Sequence, residues 1–134
     1  MADRDGKVII KVDDTGVGGG VTDNLKRLGA SFVPVNFGGS PKNKVKYSSV
    51  ADEMWFEFPV NEIEIPDDPK LMEELAGRKY VYGKIGRRKV EPKEEFRKRF
   101  GRSPDRADAL LLCFYSGWRR ESGSSVGEAA IGWR

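Results

Sequence analysis

The stretch Gly101-Arg102-Ser103-Pro104-Asp105-Arg106-Ala107-Asp108-Ala109-Leu110 constrains this chain more than any other. A glycine ends one segment, and Ser103 with Pro104 supplies the capping chemistry that opens a helix. The apolar run Leu110–Tyr115 then demands a place in a core. Asp105 and Asp108, three residues apart, share one face of the first turns of that largely buried helix. A carboxylate near a helix N-terminus is mildly favoured by the dipole, so capping accounts for one of them. An acid at the position of Asp108, where the helix turns apolar, also suits metal ligation. Both readings stay open on these residues alone.

A second acidic feature sits near the other end. Val8-Ile9-Ile10-Lys11-Val12 reads as a fully buried strand running into Asp13-Asp14, then Thr15 and the turn Gly16-Val17-Gly18-Gly19-Gly20. Carboxylates at the carboxyl end of a buried strand lie where open α/β sheets build their sites. The glycines resemble a phosphate-binding turn only in part. No Lys-Ser/Thr follows them, and the last glycine of G-x-G-x-x-G is absent. A nucleotide-binding turn and a plain strand-to-helix turn with solvated acids are the alternatives.

Between these features the pattern alternates. Helices are expected at Val21–Leu28, from Ser48 or Ser49 to about Phe58, and over Lys70–Ala76, Lys93–Phe100 and Ser103–Tyr115. Ala30–Phe37 reads as a strand with Pro34 marking an irregular or edge position. Ile63 and Ile65 mark a short strand or extended link. Tyr80-Val81-Tyr82 and Val90 flank a basic turn and predict a β-hairpin. The chain of 134 residues suits one domain, here residues 1–116, followed by a Gly/Ser-rich tail at 117–134. The single cysteine, Cys113, lies in an apolar helix and reads as a small core residue in a reducing compartment.

Composition closes off several chemistries. With no histidine, the chain has no imidazole base and no His-based zinc site, so catalysis would run on carboxylates, lysines or metals held by oxygen. No apolar run approaches a membrane span and the N-terminus is charged, so neither a membrane partner nor a signal peptide is expected. The net charge of +3 hides an uneven distribution. Residues 78–102 hold eleven of the 24 basic side chains and three of the 21 acidic ones. Such a segment next to an acidic helix suits a polyanion, with Lys84, Arg87, Arg88 and Lys89 as the candidate DNA contacts.

Taken in order, the pieces resemble the C-terminal nuclease domain of the large terminase subunit of tailed bacteriophages and prophages. The likeness runs from about Val8 to Phe114. It includes Asp13 to Gly18, Val33-Pro34-Val35-Asn36-Phe37-Gly38, Tyr47 with Ala51–Trp55, and Ile65-Pro66-Asp67-Asp68. It ends with Glu91-Pro92-Lys93-Glu94-Glu95, Arg97-Lys98-Arg99 and Gly101–Leu110. The resemblance implies a ribonuclease H-like mixed sheet flanked by helices. It implies a metal-dependent endonuclease that cuts concatemeric double-stranded viral DNA during packaging, in the bacterial cytoplasm, with other terminase subunits and the portal as partners. By motif match Asp13 is the central strand aspartate and Asp105 the metal-binding aspartate of the last helix, with Asp108 close enough to assist. Two Mg²⁺ or Mn²⁺ ions about 3.5–4 Å apart can activate a water and stabilise a leaving 3′ oxygen. Asp13 and Asp105 are therefore expected to approach one another.

The family also has an opening strand that carries the first metal-binding aspartate, and an ATPase motor before it. Here seven residues precede Val8 and no Walker motif occurs. The resemblance thus implies a partial domain lacking the first strand, weakly active or inactive alone, with a sheet edge open to self-association. Restoring that strand would raise its activity. The alternative is a non-catalytic DNA-binding or assembly module that uses the basic segment.

Overall fold

The computed structural model describes residues 8–16 and 20–116. These fall into two compact units, one within residues 8–38 and the other Gly39–Tyr115.

The first unit is a short βαβ element. Strand β1 (Lys11–Asp13) pairs in parallel with β2 (Val33–Val35), Lys11 opposite Val33 and Asp13 opposite Val35. A parallel pair needs a crossover, and helix α1 (Gly20–Arg27) supplies it. The ladder continues past β1, where the Asp14 N–H donates to the Val35 carbonyl at 2.9 Å. Phe32, Val33, Val35 and Phe37 are the buried apolar residues here. The expected buried strand Val8–Val12 is corrected: regular pairing begins only at Lys11, and Val8 and Ile10 are exposed. With β2 alone beside it among the described residues, β1 is not sandwiched as a strand buried on both faces would be.

The second unit packs four helices around an antiparallel hairpin. Helix α2 (Val50–Phe56) starts at Ser49, whose hydroxyl accepts from the Asp52 N–H, and α3 (Pro69–Gly77) starts at Asp68, whose carboxylate accepts from Lys70 and Leu71. Both caps agree with the sequence expectation. Strands β3 (Tyr80–Tyr82) and β4 (Arg88–Val90) form the hairpin, with Tyr80 opposite Val90 and Tyr82 opposite Arg88. Helix α4 (Lys93–Phe100) ends at Gly101, which takes the left-handed conformation a glycine accepts without cost. Helix α5 (Asp105–Phe114) closes the core of Tyr47, Val50, Met54, Leu71, Phe96, Ala107, Leu111 and Leu112.

Helix α5 departs from expectation at its start. Ser103 does not cap it; its hydroxyl accepts from Arg97 at 2.7 Å, and Pro104 stands at the cap position. Cys113 is exposed rather than buried: two residues on from buried Leu111, it leaves α5 on nearly the opposite side from that core residue. Ile63 and Ile65 lie in a half-buried link without regular structure, and the tail 117–134 lies outside the described residues.

Candidate metal centre and nucleic-acid interface

Asp13 closes β1 on the first unit. It is exposed, its Oδ1 accepts from the Thr15 N–H at 2.9 Å, and it makes no ion pair among the described residues. That turn bond fixes the carboxylate and leaves its other oxygen free. Asp14, the next residue, points elsewhere: its Oδ1 accepts from the hydroxyl of buried Thr22 at 2.9 Å. Adjacent side chains at the end of a strand diverge in this way, so Asp14 ties β1 to α1. Of the glycine-rich turn Gly16–Gly20, residues 17–19 lie outside the described residues.

Asp105 and Asp108 belong to the second unit, one turn apart on α5. Asp105 is exposed in the first turn and has no ion pair among the described residues. Asp108 is buried and surrounded by positive charge. Lys93 Nζ lies 2.7 Å from Oδ2, a guanidinium nitrogen of Arg78 lies 3.7 Å from Oδ1, and Trp55 Nε1 donates to Oδ1 at 3.3 Å. Arg78 is itself nearly sealed from water and lies over the Trp55 ring at 4.9 Å. Burial draws the Arg78 guanidinium below its ordinary value, while Asp108 and then Glu91 push it back up. This cluster explains an acid in an apolar helix without any metal. Lys93, Arg78 and Trp55 were not picked out from the sequence. They come from three separate segments, and no spacing rule connects them to Asp108.

The carboxylates at Asp13 and Asp105 fit a hard divalent ion in kind, as exposed oxygen donors free of competing cations. Asp108 fits less well, since a metal there has to displace Lys93. Among the described residues no group of three or more His, Cys, Asp or Glu side chains is gathered where it could hold a metal.

The predicted basic hairpin is present and its four candidate contacts differ in freedom. Lys84 and Lys89 are exposed, and the Lys89 stem lies across Gly83. Arg88 is exposed with its guanidinium 5.6 Å from the Phe56 ring centre, and Arg87 is half-buried. The base of the hairpin is anchored: the Val90 N–H donates to Asp52 at 2.8 Å and the Arg88 N–H to the Lys46 carbonyl at 2.8 Å. Tyr80, Val81, Tyr82 and Ile85 are all more than half exposed.

No family model and no curated protein matches the sequence. Solved structures do match. The fold is similar to the nuclease domain of the large terminase subunit gp2 of bacterial virus Sf6, with TM-score 0.63 and 18% identity over 84% of this chain and 66% of that one. A lysine-to-alanine variant of that domain with manganese matches at TM-score 0.64 and 18% identity, covering 84% of this chain and 67% of the other. A further structure of the Sf6 domain, with calcium, matches at TM-score 0.63 with 18% identity, 84% and 66% being covered. This chain spans about two thirds of the length of the domains it matches. Its fold is that of the terminase nuclease domain, a mixed α/β, ribonuclease H-like architecture.

Proposed function

We propose that this chain is a nuclease domain of a DNA-packaging terminase, acting on double-stranded DNA with Mg²⁺ or Mn²⁺ held by Asp13, Asp105 and Asp108. The observation that carries this reading is the pair of exposed, unpaired carboxylates at Asp13 and Asp105, on a fold shared with a domain solved with manganese and with calcium. A divalent ion so bound supplies a Lewis acid and a metal-activated water at neutral pH. The chain's own residues do the rest. The Thr15 N–H orients Asp13, and the first turn of α5 presents Asp105 to solvent. Asp108 anchors Lys93 and Arg78, and would join the ligand set only with Lys93 displaced.

DNA is held through the hairpin, with Lys84, Arg87, Arg88 and Lys89 meeting phosphates. Each neutralised phosphate releases counterions, so binding is largely independent of sequence and falls steeply with salt. Other terminase subunits and the portal are the proposed partners, in the bacterial cytoplasm. The edge of the β1–β2 pair is the proposed route to self-association, which light scattering of the purified chain would detect. Cleavage by the chain alone is slow in this reading, because Asp108 is already paired with Lys93 and gives up that partner only at a cost.

The test is plasmid nicking in Mn²⁺. Slow nicking that disappears in Asp13→Asn and in Asp105→Asn, with unchanged circular dichroism, supports the assignment. Nicking indifferent to both substitutions overturns it. Salt-dependent DNA binding without nicking under any metal would favour the non-catalytic module.

A further inference from the structure

The hairpin tip carries a residue that its own fold does not want. Ile85 sits at φ 60° and ψ 24°, in the left-handed region, and is the only non-glycine with positive φ among the described residues. For a β-branched side chain this is a real outlier, since Cβ crowds the neighbouring backbone. Gly or Asn is the usual occupant of such a turn position. Ile85 is also 85% exposed, so it recovers no burial in return. The loop is nonetheless held in shape: the Gly83 N–H donates to the Arg87 carbonyl at 2.8 Å and the Gly86 N–H to the Gly83 carbonyl at 3.3 Å. A strained apolar residue at the apex of an anchored hairpin has its use outside the chain.

Its surroundings name the occupant. Lys84 precedes Ile85, and Arg87, Arg88 and Lys89 follow within four residues, with no acid between Tyr80 and Val90. An apolar tip flanked along the chain by exposed Lys84, Arg88 and Lys89 is complementary to an apolar step inside a polyanion. The minor groove of duplex DNA presents that combination, with phosphates on both walls and stacked bases at its floor. We propose that Ile85 is a wedge that enters the minor groove and parts a base step, kinking the duplex while Lys84 and Lys89 grip the flanking phosphates. This rests on the DNA-binding reading above and adds to it a deformation of the substrate. The kink would favour flexible pyrimidine–purine steps, giving a preference without base-edge hydrogen bonds.

The experiment uses the whole chain and a short A·T-rich duplex with 2-aminopurine at a central TA step and a dye pair at its ends. Binding of the wild-type chain should raise 2-aminopurine fluorescence, shorten the end-to-end distance and be competed by netropsin, a minor-groove ligand. Ile85→Gly relieves the backbone, so its melting temperature should not fall. It should bind about tenfold more weakly, by the loss of one buried aliphatic side chain. It should keep the wild-type salt slope and lose both the unstacking and the bending signals. Wild-type behaviour in Ile85→Gly, or wild-type binding without unstacking, overturns the wedge while DNA binding stands. A wild-type chain with no salt-dependent binding, indistinguishable from Lys84→Gln/Lys89→Gln, overturns both.

Discussion

Asp105 and Asp108 stand one turn apart, and the chain uses them in opposite ways. Asp105 faces water without a counter-ion, whereas Asp108 has its charge met by Lys93 and Arg78 in a site only 9% open to solvent. Asp105→Asn should therefore leave stability within about 0.5 kcal/mol of wild type, as exposed substitutions do, while abolishing Mn²⁺-dependent nicking. Asp108→Ala should cost about 3 kcal/mol in urea unfolding, because it strands a buried guanidinium. Equal stability losses for the two variants would count against this division of labour. Both aspartates could be picked out from the sequence as candidates. Their difference could not, because Arg78 and Trp55 reach Asp108 from 30 and 53 positions away.

Among the elements, the helix boundaries follow local chemistry and the contacts between helices do not. Ser49, Asp68 and Gly101 each end or begin a helix where a capping rule says they should. Ser103 departs from the rule: Pro104 takes the cap position, and the Ser103 hydroxyl accepts from Arg97. Gly77, at the end of α3, shows the other kind of constraint. A Cβ there would stand 2.4 Å from the Phe100 ring, so the glycine is what lets α4 approach α3 so closely. Phe100 is itself stacked on Phe96, with centroids 4.3 Å apart, and has little room to move. Gly77→Ala should thus destabilise by about 2 kcal/mol despite its better helix propensity, as overpacking does. Thermal melting checks it, and a rise in stability would show that Phe100 gives way. Ser49→Ala should cost about 1 kcal/mol by the same measurement, through the lost cap.

For the whole molecule, acid is the informative variable. The Arg99 guanidinium beside Glu91, with Nε 2.8 Å from Oε1, holds that carboxylate below its ordinary 4.5. The Leu71 N–H does the same for Asp68, below its ordinary 3.8. Both groups bind protons more weakly folded than unfolded, so they stabilise the fold above these ordinary values. That contribution is lost as pH falls through the lowered folded values. Stability should be flat from neutral pH to about 5 and then drop, and Glu91→Gln should shallow that drop. Chemical denaturation across pH would show it; an unchanged acid limb in Glu91→Gln would remove Glu91 from the explanation. The fold itself does not depend on pH-active histidines, since the chain has none.

The sequence by itself determined the mixed α/β pattern, the helix limits at Ser49, Asp68 and Gly101, the basic hairpin, and the acids at the end of β1 and the start of α5. These depend on interactions within a few residues, such as a cap, a turn or an alternation, so neighbours in the chain are enough to specify them. Only the tertiary structure decided that regular pairing of β1 with β2 begins at Lys11, that Asp108 is already neutralised, and that the Ser103 hydroxyl meets Arg97 while Pro104 takes the cap position of α5. It also showed Ile85 to be strained and bare at the hairpin tip. Those facts turn on which distant residues come together and which stay exposed, and burial and charge pairing act through space rather than along the chain.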